Sequence, residues 1–310
     1  ASDVYKRQGE GAIHEIPKLL KELNVDSALA VIGPITYKLV TNELSQTLKR
    51  EGYDFDFFIV ENADLISVKK TEEKAKKMKS EALLGIGGGK NIDVAKMAAF
   101  NLKIPYISIP TIPSHDGIAS ACCSISKNSI KHSSFLDPPT AIVADMRYLS
   151  KAPERFYAAG AGDVLAKFTS VLDWKLGRDE KNDYYGEYAA HLATLAAEVI
   201  IKNSSMYKED PESAVRLLTE AIISCGYAMC ITGSTRPCSG SEHLFSHAID
   251  FLFPKNTALH GEKCALGTLI MSFYHDKDYH MVRQTLLNLG LPTNAEQIGI
   301  PPRIIVKAVT

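Results

Sequence analysis

Residues 82–96 read ALLGIGGGKNIDVAK. The apolar run predicts a buried strand over 82–90, stopped by three consecutive glycines, with a helix from about Ile92 to Leu102. A glycine-rich turn between a strand and a helix has two readings. Its backbone N–H groups can approach a pyrophosphate at the helix N-terminus, or the turn simply needs residues with positive φ. It is not a P-loop, since Asn91 stands where Ser or Thr would bind magnesium, and it is not G-x-G-x-x-G either.

The alternation continues outward on both sides. Residues 11–24 carry Ile13, Ile16, Leu19, Leu20 and Leu23 at helical spacing. Residues 27–32, SALAVI, form an apolar strand stopped at Gly33-Pro34. A helix with Leu39, Val40, Leu44 and Leu48 turned inward follows, then a strand at 55–62 and a charged surface helix at 68–80. Beyond the glycine turn, IPYISIPT at 104–111 is another strand. Strands alternating with helices predict a doubly wound parallel sheet. Ligands bind at the carboxyl ends of the strands in such sheets. That singles out Thr111, Ser114 and Asp116 in the next turn, although a capped turn would use the same residues. Within 119–148 a polar stretch reads as a hairpin feeding a strand, TAIVAD.

From Pro153 onward the pattern is helical. We place the domain boundary near Ser150, with an α/β domain over 1–150 and an all-α domain over 151–310. Residues 154–176 form a helix or helix pair in which Asp163 sits among Gly160, Gly162, Val164 and Leu165. Aspartate is a poor interior helix residue. It either pairs with Lys167, four residues on, or serves as a metal ligand. Residues 233–263, GSTRPCSGSEHLFSHAIDFLFPKNTALHGEK, hold His243, His247 and His260. A helix capped by Ser239 or Ser241 and ended at Pro254 would carry Leu244, Ala248, Ile249 and Leu252 on its apolar side. His243 and His247 would project from one face of it, with His260 able to fold back onto them. Such a pair is also met as two ordinary helix histidines. Joined to Asp163, His243 and His260 make a one-carboxylate, two-histidine site with an open position, as catalytic zinc requires. An open metal can polarise a carbonyl, and with a nicotinamide at the glycine turn the natural reaction is hydride transfer.

The totals narrow the class. A chain of 310 residues with 45% hydrophobic and 23% charged residues is an ordinary soluble globular protein with a deep core. A net charge of −1 gives no support to a nucleic-acid or anionic-membrane partner. No stretch reads as an apolar run of bilayer-spanning length. Six cysteines without a C-x-x-C pair favour reduced thiols in the cytoplasm. The start at Ala1 without Met is expected of a processed or truncated N-terminus.

Five stretches together resemble the sn-glycerol-1-phosphate dehydrogenase family. They are GIGGGKNIDVAK (85–96), PTIPSHDGIAS (110–120), GAGDVLAKFTSVLDWKL (160–176), SGSEHLFSHAID (239–250) and LHGEKCALGT (259–268). That family lies within the superfamily of iron-containing alcohol dehydrogenases, glycerol dehydrogenase and dehydroquinate synthase. The resemblance implies an active site in the cleft between the two domains. It implies Asp163, His243 and His260 as metal ligands, with zinc usual in the archaeal enzymes. It implies Gly88, Gly89, Lys90, Asn91 and Asp93 at the dinucleotide pyrophosphate, with Thr111, Ser114 and Ser120 as further contacts to NADH or NADPH. Asp116 and His247, beside Asp163, are the implied substrate contacts. The implied reaction reduces dihydroxyacetone phosphate to sn-glycerol 1-phosphate, for archaeal membrane phospholipids, in a cytoplasmic homo-oligomer.

The chain ends at Thr310, whereas family members usually continue, so contacts from a further C-terminal stretch are expected to be missing. The first eight residues, ASDVYKRQ, match the family poorly. Lys167, His115 and Arg236 are candidate phosphate donors by charge alone. Glu61 can meet a ribose hydroxyl or be a solvated strand end. The rival readings are a dehydrogenase of unphosphorylated polyols, a lyase resembling dehydroquinate synthase, and a metal-stabilised binding module.

Overall fold

A computed structural model describes residues 4–127 and 130–310. The chain divides into two compact units, Ala1–Ile112 with Gly117–Ala152, and Pro113–Asp116 with Pro153–Thr310.

The first unit contains strands β1 (Tyr5–Gly9), β2 (Ser27–Ile32), β3 (Asp54–Ile59), β4 (Ala82–Gly87), β5 (Tyr106–Pro110), β6 (Cys122–Lys127), β7 (Ile130–Phe135) and β8 (Ala141–Asp145). Its helices are α1 (Ile16–Glu22), α2 (Pro34–Arg50), α3 (Leu65–Met78), α4 (Gly89–Leu102) and α5 (Met146–Leu149). Six strands make a parallel sheet in the order β1-β8-β5-β4-β2-β3, while β6 and β7 form an antiparallel hairpin. The hairpin and the TAIVAD strand are where the sequence puts them, and residues 128 and 129 of that stretch lie outside the described residues. β4 is buried throughout, as its unbroken apolar run requires of a strand covered on both faces.

Three local expectations need correction. β1, YKRQG, was not foreseen. It is an edge strand paired only with β8 and half-exposed or exposed along its length, so it carries no apolar run to read. The 11–24 helix is a 3-10 turn over Ala12–Glu15 followed by α1, with Pro17 in the first turn of α1, where its missing N–H costs nothing. On α2 the buried stripe is Thr36, Val40, Leu44 and Leu48, and Leu39 is 60% exposed.

The second unit is helical. Its elements are α6 (Glu154–Leu165), α7 (Lys167–Lys181), α8 (Glu187–Lys202), α9 (Met206–Glu209), α10 (Pro211–Thr232), α11 (Ser241–Leu252), α12 (His260–Tyr274), α13 (Tyr279–Asn288) and α14 (Pro302–Val309). α10 is, contrary to expectation, long and apolar enough by composition to cross a bilayer. Arg216 and Glu220 interrupt its run, which hid it from a reading for uninterrupted apolar residues. Val215, Leu218, Ile222, Cys225 and Met229 are buried and the helix packs against α8 and α6, as a core helix does. α11 also departs from expectation. Its N-cap is Gly240, neither serine caps it, and Leu244 is 69% exposed while Phe245 and Ile249 point inward.

Asp145, at the carboxyl end of β8, ties the first unit's N-terminal segment to the sheet. Its buried carboxylate accepts the N–H groups of Gly11 and Ile13, both at 3.2 Å, and a two-pronged contact from Arg147 at 3.0 and 2.7 Å. Arg147 also reaches Glu43 at 2.7 Å. Burial alone would push the Asp145 carboxyl up, but Arg147 and the backbone donors outweigh it and hold it below its ordinary value of 3.8. A depressed carboxyl stabilises the fold above that value and loses its contribution as pH falls through the folded value. Asp145→Asn should therefore cost about 3 kcal/mol at neutral pH. In urea unfolding, the gap to the native chain should be full at pH 6 and should close below pH 4. A gap independent of pH would remove the carboxylate's charge from this account.

Candidate metal centre

The second unit brings four donor side chains together. Ligand atoms of Asp163, His243, His260 and Cys264 all lie within 4.8 Å of one another. Asp163 is on α6, His243 on α11, and His260 opens α12. Asp163 Oδ1 is 3.3 Å from His243 Nε2 and 3.7 Å from His260 Nε2. The rings of His243 and His260 have centroids 5.1 Å apart. This convergence depends on a backbone contact. A Cβ on Gly261 would lie 1.8 Å from the Ala159 carbonyl oxygen, so only glycine lets the start of α12 rest on α6.

Asp163 pairs with Lys167, as the i, i+4 spacing allows, and the same carboxylate also faces both imidazoles. Lys167, wholly buried, donates to the Asp163 carbonyl at 2.7 Å and lies 3.3 Å from Asp163 Oδ1. Its ammonium also meets Asp116 Oδ2 at 2.7 Å, while the Asp116 N–H donates to Asp163 Oδ2 at 2.7 Å. Lys167 is therefore committed to two carboxylates and is not an available phosphate donor. Arg236 is likewise committed, to Asp183 at 2.6 Å. His115 lies close enough to disfavour a charge on His260.

The charges have a definite order. Burial would raise the Asp163 carboxyl, but Lys167 and the two imidazoles hold it well below the usual carboxylate range. Burial would lower Lys167, but Asp116 and Asp163 hold it well above its ordinary value. Burial would lower His243 as well, yet Cys264, Asp163 and Glu242 outweigh it and raise the ring well above its ordinary value. For His260, burial and the neighbouring His243 act together and push it well down. The cluster thus favours a positive charge on His243 over His260, and a divalent cation taking Nε2 of His243 must displace any proton that nitrogen holds.

Two neighbours complete the cluster. His247, one turn along α11, is exposed, and its ring is 6.5 Å from that of His260. Cys264, four residues after His260, was not singled out from the sequence, although i to i+4 spacing on a helix beginning at His260 was the available signal. Its sulfur is 3.5 Å from His260 Nε2 and 3.9 Å from Nδ1. Nearly equal distances set it against the ring, off the Nε2 lone-pair axis, so it packs on the imidazole.

The residues expected at a dinucleotide lie at and beyond the carboxyl ends of β4 and β5. β4 ends at Gly87, whose φ of +131° and the approach of Asn91 both demand glycine. Gly88 is the N-cap of α4, and Gly89 and Lys90 occupy its first turn, where N–H groups have no acceptor within the helix. Lys90 is exposed. Asn91 and Asp93 turn inward instead. Asn91 donates to the Ile86 carbonyl at 3.0 Å, and Asp93 accepts from Ser124 N–H at 3.1 Å. Thr111 N–H donates to the Gly87 carbonyl at 3.0 Å, Ser114 is half-buried, and the buried Ser120 hydroxyl accepts from Cys122 N–H at 3.1 Å.

Comparison with known proteins finds relatives of the whole chain. The sequence model of a family described as iron-containing alcohol dehydrogenase matches residues 7–153. Glycerol-1-phosphate dehydrogenase [NAD(P)+] of Methanosarcina mazei is 42% identical over 302 residues, covering 97% of this chain and 85% of the relative. The protein of the same name from Hyperthermus butylicus is 44% identical over 305 residues, covering 97% and 86%. Among solved structures, a probable glycerol dehydrogenase from Sinorhizobium meliloti aligns with a TM-score of 0.82 at 22% identity, covering 100% of this chain and 90% of that one. Glycerol dehydrogenase from Schizosaccharomyces pombe also aligns at 0.82, with 20% identity and coverage of 100% and 84%. At that identity these structures establish the shared fold alone.

Gly261→Ala tests the helix contact that builds the cluster. The added methyl cannot fit against the Ala159 carbonyl, so α12 must shift. We expect a loss of about 1–3 kcal/mol together with a fall in bound metal per chain. Calorimetric melting and elemental analysis read the two effects. Native melting with full metal content would show that the contact does not set the site.

Proposed function

The chain belongs to the glycerol-1-phosphate dehydrogenase family, and from that membership we propose that it reduces dihydroxyacetone phosphate to sn-glycerol 1-phosphate with NADH or NADPH. The observation that carries the proposal is the meeting of Asp163, His243 and His260, in a chain that matches relatives bearing that name over 97% of its length. The same reading assigns residues 1–150 to the cofactor and 151–310 to metal and substrate. It includes a homo-oligomer and, with none of the six cysteines in a disulfide among the described residues, a reducing cytoplasmic setting.

One carboxylate and two imidazoles in a buried polar cluster fit a zinc ion, which Asp163 Oδ1, His243 Nε2 and His260 Nε2 would hold. Bound there, the ion supplies Lewis-acid polarisation of a carbonyl, and the nicotinamide supplies the hydride. The protein's own groups do the rest. Lys167 keeps Asp163 an anion despite its burial. Asp116 gives Oδ2 to Lys167, and its Oδ1 can accept a substrate hydroxyl. His247 stands on the exposed side of the cluster, where it can bind the substrate and give a proton to the oxygen that becomes the C2 hydroxyl. First-turn N–H groups of α4 can donate to the pyrophosphate.

The test is NADH and NADPH oxidation with dihydroxyacetone phosphate, with and without added zinc, followed by chiral assay of the product. We expect zinc-dependent formation of sn-glycerol 1-phosphate, and much weaker turnover of unphosphorylated dihydroxyacetone. A preference for the unphosphorylated ketone would move the assignment to glycerol dehydrogenase. His247→Ala should retain its zinc and lose about 100-fold or more in kcat. Loss of zinc from that variant would make His247 a ligand.

A further inference from the structure

We propose that Glu242 is a positioning residue for the metal centre: its carboxylate fixes His243 as the Nδ1–H tautomer and so aims the Nε2 lone pair at the point shared with Asp163 and His260. The proposal rests on the metal reading above. Glu242 is fully buried, and both of its oxygens are engaged. Oε1 accepts from the His243 ring at 2.8 Å and from Gly240 N–H at 2.7 Å, and Oε2 accepts from the Thr169 hydroxyl at 2.7 Å. The carboxylate is thus held by donors from α7, from the N-cap of α11 and from the ring itself. It contacts Nδ1, while Nε2 is the nitrogen that faces Asp163.

A neutral imidazole has one donor nitrogen and one acceptor nitrogen. Both ring nitrogens of His243 face buried carboxylates, but Nδ1 meets Glu242 at 2.8 Å while Nε2 lies 3.3 Å from Asp163, so in the neutral ring the shorter contact draws the proton to Nδ1 and leaves the Nε2 lone pair for a metal. The two proposed histidine ligands differ in this respect. His260 Nδ1 meets the neutral Ser246 hydroxyl at 3.3 Å. His243 is thus the ring whose orientation and basicity a carboxylate governs. Adjacent residues on a helix normally diverge. Here Glu242 lies in the first turn, where its side chain can bend back to the N-cap N–H and still pass beside its neighbour's ring.

Zinc affinity by chelator competition and ring-nitrogen NMR of the metal-free protein, above the pH at which its imidazoles titrate, test this on the full chain. Glutamine keeps the size of Glu242 but can offer Nδ1 either an oxygen or an amino group. Glu242→Gln should bind zinc roughly 10–100-fold more weakly, and the His243 signals should show mixed tautomers where the native protein shows Nδ1–H alone. Native affinity with an unchanged tautomer would overturn the inference. His243→Ala separates the two levels. If His243→Ala also keeps native zinc affinity, the metal reading itself fails. If it loses zinc while Glu242→Gln does not, only the role of Glu242 fails. Should Glu242→Gln not fold, Thr169→Val removes one of the carboxylate's anchors while keeping the charge. It should weaken zinc several-fold, and unchanged affinity there counts against the proposal.

Discussion

The second unit turns on one buried ammonium group. Lys167 has no solvent exposure, and it sits between Asp163, equally buried, and Asp116. Moving any one of these charges out of water alone would be prohibitive, and the group is tolerable only because each charge is paired and hydrogen-bonded. The arrangement also fixes chain geometry. Asp116 belongs to the short segment Pro113–Asp116 that groups with the helical unit, and both its carboxylate and its N–H are engaged with the α6–α7 pair. The cation that holds the segment in place also keeps Asp163 ionised for the histidines.

The second layer of order comes from the start of α11. Its first N–H groups are met by acidic side chains and not by the serines beside them. Glu242 takes the Gly240 N–H, and Asp173 on α7 takes the Ser241 N–H at 2.6 Å. Asp173 is in turn held by His275 at 2.7 Å. The positive end of the helix dipole is thus covered by carboxylates, one of which also touches His243. Helix capping and histidine orientation share the same atoms.

Much of the fold was legible because its signals were local. The run ALLGIGGG ends a strand and opens a helix, and the alternation around it dictates a parallel sheet. The misses have physical causes. β1 lies at a sheet edge and needs no apolar pattern. Leu39 and Leu244 are apolar residues that face outward, which periodicity cannot distinguish when its phase is off by one residue. In the candidate site, the meeting of Asp163, His243 and His260 could be expected from spacing and family resemblance. Their partners could not. That Lys167 serves Asp116 as well as Asp163 depends on a contact between residues far apart in the chain, and that Glu242 bends back to its neighbour's ring depends on a rotamer at a helix start, whereas Cys264 stands one helical turn from His260 and its spacing was there to be read.

Gly261 gives the site a particular kind of individuality. A Cβ there would run into the Ala159 carbonyl, so the close approach of α6 and α12 is a contact of backbone with backbone, independent of which donors stand at 163 and 260. Chemistry and spacing are therefore separable properties of this centre. Donor residues could drift, or be exchanged to favour a different ion, with the frame left intact. The reverse does not hold. Transplanting aspartate and histidines onto another helix pair would carry over the ligands without the separation that makes them a site, so the portable unit is the glycine crossing together with its donors.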